Sequence, residues 1–186
     1  GGVWITKQSA LLVGHVNHSA SVLDGAARSQ AGDYDVLQSG SDVLITSAGQ
    51  VGVLDPVSYT VRSSVAVPAS AQLSLGGGTL SVHDTATGSL WVMPVSPLGG
   101  FSSSMPPERT LDSGSVVVVD RTGTVHAASA GSGEIISIPV STMGGVGAAR
   151  TSPLAGVEAE ADLAITAVGS EPVVLDRTSR TLHTAK

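Results

Sequence analysis

A short phrase returns along this chain: a glycine, a second small residue, then a run of valine, leucine and isoleucine. It reads GGVWIT from Gly1, GSDVLIT from Gly40, GGTLSV from Gly77 and GSVVVV from Gly114, and a fifth copy, SEPVVL, begins at Ser170. The period is about 37 to 45 residues, the length of one propeller blade. Such a period constrains the fold strongly. Each repeat must be one supersecondary unit that buries its apolar face against the next.

Two further phrases give the unit physical content. VVVVDRTGTVH (Val116 to His126) matches PVVLDRTSRTLH (Pro172 to His183), with looser copies in LSVHDTATGSLW from Leu80 and VGVLDPVSYTV from Val51. Each reads as a hairpin. An apolar strand ends in Asp, whose carboxylate bonds backbone amides two residues on, and Thr, Ser or Gly completes the turn. The third match aligns GSLWVMPVSPLGG (Gly88 to Gly100) on GEIISIPVSTMGG (Gly133 to Gly145) without gaps. Pro94 and Pro139 lack an amide donor, which places them at strand ends or edges.

Each unit therefore predicts three or four antiparallel strands. The segments 35–38, 71–75, 109–112 and 162–166 supply the strand before a glycine phrase. Residues 144–157, rich in Gly and Ala, read as a long loop between the fourth and fifth units. The expected fold is all-β, a β-propeller of about five repeats forming one domain over residues 1–186. The chain starts at what reads as the second strand of a unit and stops just after a hairpin. That favours an arc of a larger ring over a ring closed within these residues. An arc has bare edge strands, and these invite self-association.

Composition narrows the partners. The net charge is -6, and Lys7 and Lys186 are the only lysines, so no basic stripe exists for nucleic acid. Cysteine is absent, which removes disulfides, thiolate catalysis and Cys-based zinc sites. No apolar run reaches the roughly 20 residues of a membrane helix, so no membrane contact is expected from this segment. Aromatic residues are 3% of the chain, and the core must be aliphatic.

The search for chemistry gives structural readings throughout. His15 and His18 form His-x-x-His, a spacing that points to opposite faces of a strand. His83, His126 and His183 recur near the Asp turns and could ring one mouth of a propeller, although His83 precedes its Asp and the other two follow theirs. Asp55, Asp84, Asp120 and Asp176 read as turn acceptors, because the further carboxylates of a calcium loop are missing. Asp33 and Asp35 make Asp-x-Asp. Glu158, Glu160 and Asp162 alternate, which on a strand puts three carboxylates on one face. That is the best metal candidate, with a solvated strand face as its alternative. No Gly-x-Ser-x-Gly elbow occurs, and the glycine runs 76–78 and 144–147 lack the Lys-Ser/Thr of a phosphate loop. Trp4 and Trp91 fall in apolar strand phrases and read as core. No catalytic, cofactor-binding or metal residue is therefore assigned, no cofactor is expected, and the chain reads as a non-enzyme.

The segments GGVWIT, LLVGHVNHSASVLDG, YDVLQSGSDVLIT and AITAVGSEPVVLDRTS resemble a family of large actinobacterial surface proteins. These have an N-terminal membrane anchor, a propeller-like region and C-terminal fibronectin type III domains. The resemblance implies an anchor helix upstream of Gly1, more sequence after Lys186 and an extracytoplasmic, cell-surface location. It carries over no functional residue. The expected function is a scaffold or protein-interaction module, with a carbohydrate or cell-wall polysaccharide binding module as the alternative. A glycoside hydrolase-related propeller is the weaker third.

Overall fold

The computed structural model describes residues 2–29, 33–96 and 98–185; Gly1 and Lys186, the ends named above, lie outside them. The described residues form five antiparallel sheets. The first holds β1 (Gly2–Lys7), β2 (Leu12–Asn17) and β3 (Val22–Arg28). The second holds β4 (Tyr34–Ser39), β5 (Asp42–Ser47), β6 (Gln50–Asp55) and β7 (Thr60–Ala66). In the third are β8 (Ala71–Gly76), β9 (Thr79–Asp84), β10 (Ser89–Pro94) and β11 (Arg109–Thr110). The fourth has β12 (Val116–Val119), β13 (Val125–Ser129), β14 (Glu134–Ile138) and β15 (Arg150–Pro153). The fifth has β16 (Leu163–Val168), β17 (Glu171–Asp176) and β18 (Thr181–Thr184). Strands within a sheet follow chain order, as a meander does. The all-β class with three or four strands per repeat is therefore the observed one.

The repeat has a different phase from the one the glycine phrase suggests. GSDVLIT, GGTLSV and SEPVVL run into β5, β9 and β17, the second strands of their sheets, whereas GSVVVV becomes β12, a first strand. The cause lies just upstream. Residues 109–112 do not open the fourth sheet; Arg109 pairs with Leu90, so β11 closes the third sheet instead. The Asp hairpins shift in the same way: Asp120 joins first to second strand, Asp84 and Asp176 second to third, and Asp55 third to fourth. The local phrase encodes a hairpin, and any two adjacent strands of a meander can use one. The gapless match does keep its place. Its strands β10 and β14 are both third strands, with Leu90 and Ile135 fully buried at equivalent positions. The first sheet likewise matches β5–β7, down to a bulge between His15 and Val16 that recurs between Val53 and Leu54.

Two other expectations change. Residues 144–157 are not loop throughout: Arg150–Pro153 is β15 and pairs with β14, and Val140 bridges to Val146. Glu158, Glu160 and Asp162 do not alternate on a strand, because they lie in the turns before β16 begins at Leu163.

The chain divides into two compact units, residues 1–69 with 97–102 and residues 70–96 with 103–186. In the first unit, Trp4, Val13, Ala27, Tyr34, Val43 and Leu54 form the core. Gln38 on β4 ties the two sheets there. Its Oε1 accepts the Trp4 amide at 3.2 Å, and its Nε2 donates to the Gly2 carbonyl at 3.1 Å.

The second unit has two apolar clusters. Leu90, Leu111, Val119, Val125, Ala127 and Ile138 fill one; Ala128, Ala130, Ile135, Leu154, Leu163 and Val174 fill the other. Each fully buried Leu or Ile contributes about 1.5–3 kcal/mol relative to exposure. Between the third and fourth sheets the backbones nearly touch. The Val119 amide donates to Ser74 Oγ at 2.8 Å. A Cβ on Gly76 would sit 2.2 Å from the Asp120 carbonyl oxygen, and one on Gly77 would sit 2.3 Å from the Gly123 nitrogen. Only glycine admits that approach.

Gly76→Ala is expected to destabilise the chain by at least about 1–3 kcal/mol, the range for overpacking. Gly133→Ala, at a positive φ but with open space around it, is expected to cost only the roughly 1–2 kcal/mol of a left-handed backbone. Urea unfolding of both variants checks the order.

Candidate functional site

The four turn aspartates end their strands as buried groups. Asp55 accepts the Val57 amide at 2.8 Å and the Arg62 guanidinium. Asp84 accepts the Ala86 amide at 3.1 Å and the hydroxyls of Thr87 and Ser70. Asp120 accepts the amides of Thr122 and Thr124 at 2.7 and 3.0 Å. Asp176 accepts the amides of Thr178 and Ser179 at 2.8 and 3.1 Å, and the Ser179 hydroxyl at 2.6 Å. These bonds favour the ionised carboxylate. The Val57 amide, with Arg62 and Ser58, holds Asp55 down to about 2. Hydrogen bonds from Ser179 and the Thr178 amide put Asp176 below its ordinary value. Burial alone would raise Asp120, but Thr122, His126 and the turn amides outweigh it.

The histidines do not gather into a ring. Register places His83 opposite Leu90, and His126 opposite Ser137 rather than opposite Ile135, the counterpart of Leu90; His183 is on β18, opposite Val174. His126 is part of a clamp inside the fourth sheet, with Nδ1 2.8 Å from Ser137 Oγ and Nε2 3.2 Å from Asp120 Oδ2. His183 Nε2 lies 2.8 Å from Thr181 Oγ1. His15 lies 2.5 Å from Asp24 and against Trp4, at 5.1 Å between ring centroids, while His18 is exposed in the following turn. The pair His15/His18 therefore does not converge. Asp33 and Asp35 are both exposed, and Asp35 accepts the Val36 amide. Trp4 and Trp91 are buried, and the Trp91 indole donates to the Met105 carbonyl at 2.9 Å. Among the described residues, no group of three or more His, Asp or Glu is placed to hold a metal.

One histidine remains. His83 on β9 is 2% exposed, and neither ring nitrogen has a hydrogen-bond partner. Burial lowers its pKa, with the Asp84 charge opposing, so the ring is held neutral. A neutral imidazole offers one donor and one acceptor. Ser115, 4% exposed and next to β12, has a hydroxyl with no partner either. Both residues line one cavity of about 470 Å³ within the second unit, together with Gln72, Thr85, Asp162 and Arg177. Each unsatisfied buried polar group costs about 1–3 kcal/mol. Two residues that carry such groups line one cavity, which makes it the candidate site.

Asp112 and Gly114 belong to this cavity and also to a neighbouring one of about 670 Å³, whose wall includes Glu160 and Ser132. Asp112 Oδ2 accepts the Ser129 hydroxyl at 2.8 Å. Sequence reasoning passed over Asp112 and Ser115, because neither sits in a recurrent chemical pattern. The one available signal was His83 itself, the only recurrent histidine that comes before its turn aspartate.

No protein-family model matches the chain, and no curated protein matches it by sequence. Solved structures do match. Hsv2 of Kluyveromyces lactis is 12% identical with a TM-score of 0.65, covering 98% of this chain and 57% of that one. A catalytically inactive histidine-to-alanine variant of virginiamycin B lyase from Staphylococcus aureus, with quinupristin, is 14% identical with a TM-score of 0.61, covering 100% and 66%. Dihydro-heme d1 dehydrogenase NirN is 12% identical with a TM-score of 0.59, covering 98% and 43%. This chain has the propeller-type fold. It spans about half to two thirds of these neighbours' length, and at such identities the likeness concerns fold alone.

The neighbours correct one expectation. The chain was read as a non-enzyme because its repeated phrases carry no catalytic signature. Its fold neighbours include a lyase and a dehydrogenase. The phrases build strands and turns, whereas propeller chemistry is placed by side chains that the repeat does not encode. The non-enzyme reading is withdrawn.

Two outcomes are expected. The unfolded Asp carboxyl titrates near 4, while Asp55 folded is held to about 2. The folded chain then binds fewer protons between those values, so its contribution is full above about pH 4 and is lost as pH falls towards 2. Melting temperature against pH should show this loss, and Asp55→Asn should flatten it. His83→Leu, which places the residue type of Leu175 at the equivalent position, is expected to raise stability by about 1 kcal/mol by removing an unsatisfied imidazole. Urea unfolding measures it.

Proposed function

We propose that this chain is a propeller-type binding module whose ligand site is the cavity lined by His83 and Ser115. The observation that carries the reading is the pair of buried, unpartnered polar groups in one wall. A ligand for them must both donate and accept hydrogen bonds. Gln72, Thr85, Asp162 and Arg177 add further polar contacts along the same wall. That chemistry favours a small polar molecule or the end of a glycan chain over an apolar protein surface. The extracytoplasmic, actinobacterial setting is supported by the sequence resemblance, and a cell-wall polysaccharide is the partner that fits it.

A second reading has its own support. His83 is neutral because it is buried, and a neutral imidazole in a cavity is able to accept a proton. The virginiamycin B lyase neighbour is inactivated by loss of a histidine. Conversion of a bound compound to product, abolished in His83→Ala, would mark acid–base chemistry at the same site.

Binding of solubilised cell-wall fragments to the folded chain, beside a heat-unfolded control, tests the first reading. His83→Ala and Ser115→Ala are each expected to weaken saturable binding at least ~10-fold, in line with the loss of hydrogen bonds to a desolvated group. The two variants binding as tightly as the unsubstituted chain would remove the cavity from consideration.

A further inference from the structure

The two cavities that share Asp112 and Gly114 differ in charge. The one that holds His83 carries Asp162 and Arg177, which face each other at 3.4 Å, together with Asp112. In the other, the charged residues of the wall are Asp112 and Glu160, both exposed carboxylates, beside the hydroxyl-bearing Ser113 and Ser132. Asp112 already accepts the Ser129 hydroxyl through Oδ2, and Ser129 also accepts the Ser132 amide through Oγ. That bond holds the Asp112 side chain in place without neutralising it. A cation in that cavity would meet side chains of opposite charge in its wall.

The acidic pair alone would be a solvated surface. It gains meaning from the adjoining wall, where His83 and Ser115 lack partners although almost wholly buried. Ser115 is linked to Asp112 through the backbone, its amide donating to the Asp112 carbonyl at 3.2 Å. Asp112 thus stands where an acidic pocket meets the one lined by His83 and Ser115.

We propose that the ligand is a hydroxyl-rich molecule bearing a protonated amine, with its hydroxyls at His83 and Ser115 and its amine at Asp112 and Glu160. This rests on the cavity reading above and names the ligand class for it. Each sugar hydroxyl donates and accepts at once, which answers a neutral imidazole and a serine hydroxyl together. Free amino sugars combine both features, whereas N-acetylated and unsubstituted sugars keep only the hydroxyls.

Calorimetric titration of the chain with three tetramers tests it: glucosamine, N-acetylglucosamine and glucose, at mildly acidic pH where the amine is protonated. The glucosamine tetramer is expected to bind at least ~10-fold more tightly than the other two, with the difference shrinking as salt is added. The double variant Asp112→Asn, Glu160→Gln should erase that difference; its fold is checked by thermal melting. Equal affinity for all three tetramers, lost in His83→Ala, overturns the amine assignment and leaves the cavity site standing. A preference that survives in the double variant also overturns it. Binding that His83→Ala leaves untouched overturns both readings, and no binding of any tetramer overturns the amino-sugar class.

Discussion

Hairpin after hairpin in this chain closes on a buried side-chain oxygen that accepts the amides of its own turn. Asp55, Asp84, Asp120 and Asp176 do this as carboxylates. In the first sheet the half-buried Asn17, the counterpart of Asp55, accepts the amides of Ser19 and Ala20. A buried charge is costly unless hydrogen-bonded, and these turns supply the bonds locally. The strands that leave each turn are thereby aimed, and the sheets stack on side chains that this aim places. The turn acceptor thus supports the register that the buried aliphatic face of each pair already specifies.

The acceptor also explains the drifting phase of the repeat. A turn that satisfies itself needs nothing from its place in the sheet, so it can join first to second strand at Asp120 and third to fourth at Asp55. What locks neighbouring sheets is different. In the second unit the glycines at 76 and 77 let the β8–β9 turn approach the backbone around Asp120 and Gly123. The first unit uses a side chain, Gln38, for the equivalent task between β4 and β1.

The candidate site arises from variation at positions the repeat makes equivalent. The residue beside the last one in the second strand is His83 in the third sheet, Ala128 in the fourth and Leu175 in the fifth. The alanine there packs into the core and the leucine is half-buried. The histidine is buried without a partner. The cavity is thus a place where stability is given up, which is the usual mark of a binding position.

The fold class is legible in the chain itself, because glycine, aliphatic run and Asp turn are local instructions and recur often enough to be read without a structure. Legible too is the role of the turn aspartates, whose partners lie within a few residues of them. So is the burial of Trp4 and Trp91, through the strand pattern around them. Which strand of a sheet each phrase becomes is set by long-range pairing, since β11 joins β10 through residues far apart in the chain. Only the tertiary structure decided that Glu158, Glu160 and Asp162 share no strand. The site was beyond the sequence for the same reason. His83, Ser115, Asp112 and Glu160 come from segments that the third, fourth and fifth sheets bring together, and no spacing along the chain records that juxtaposition.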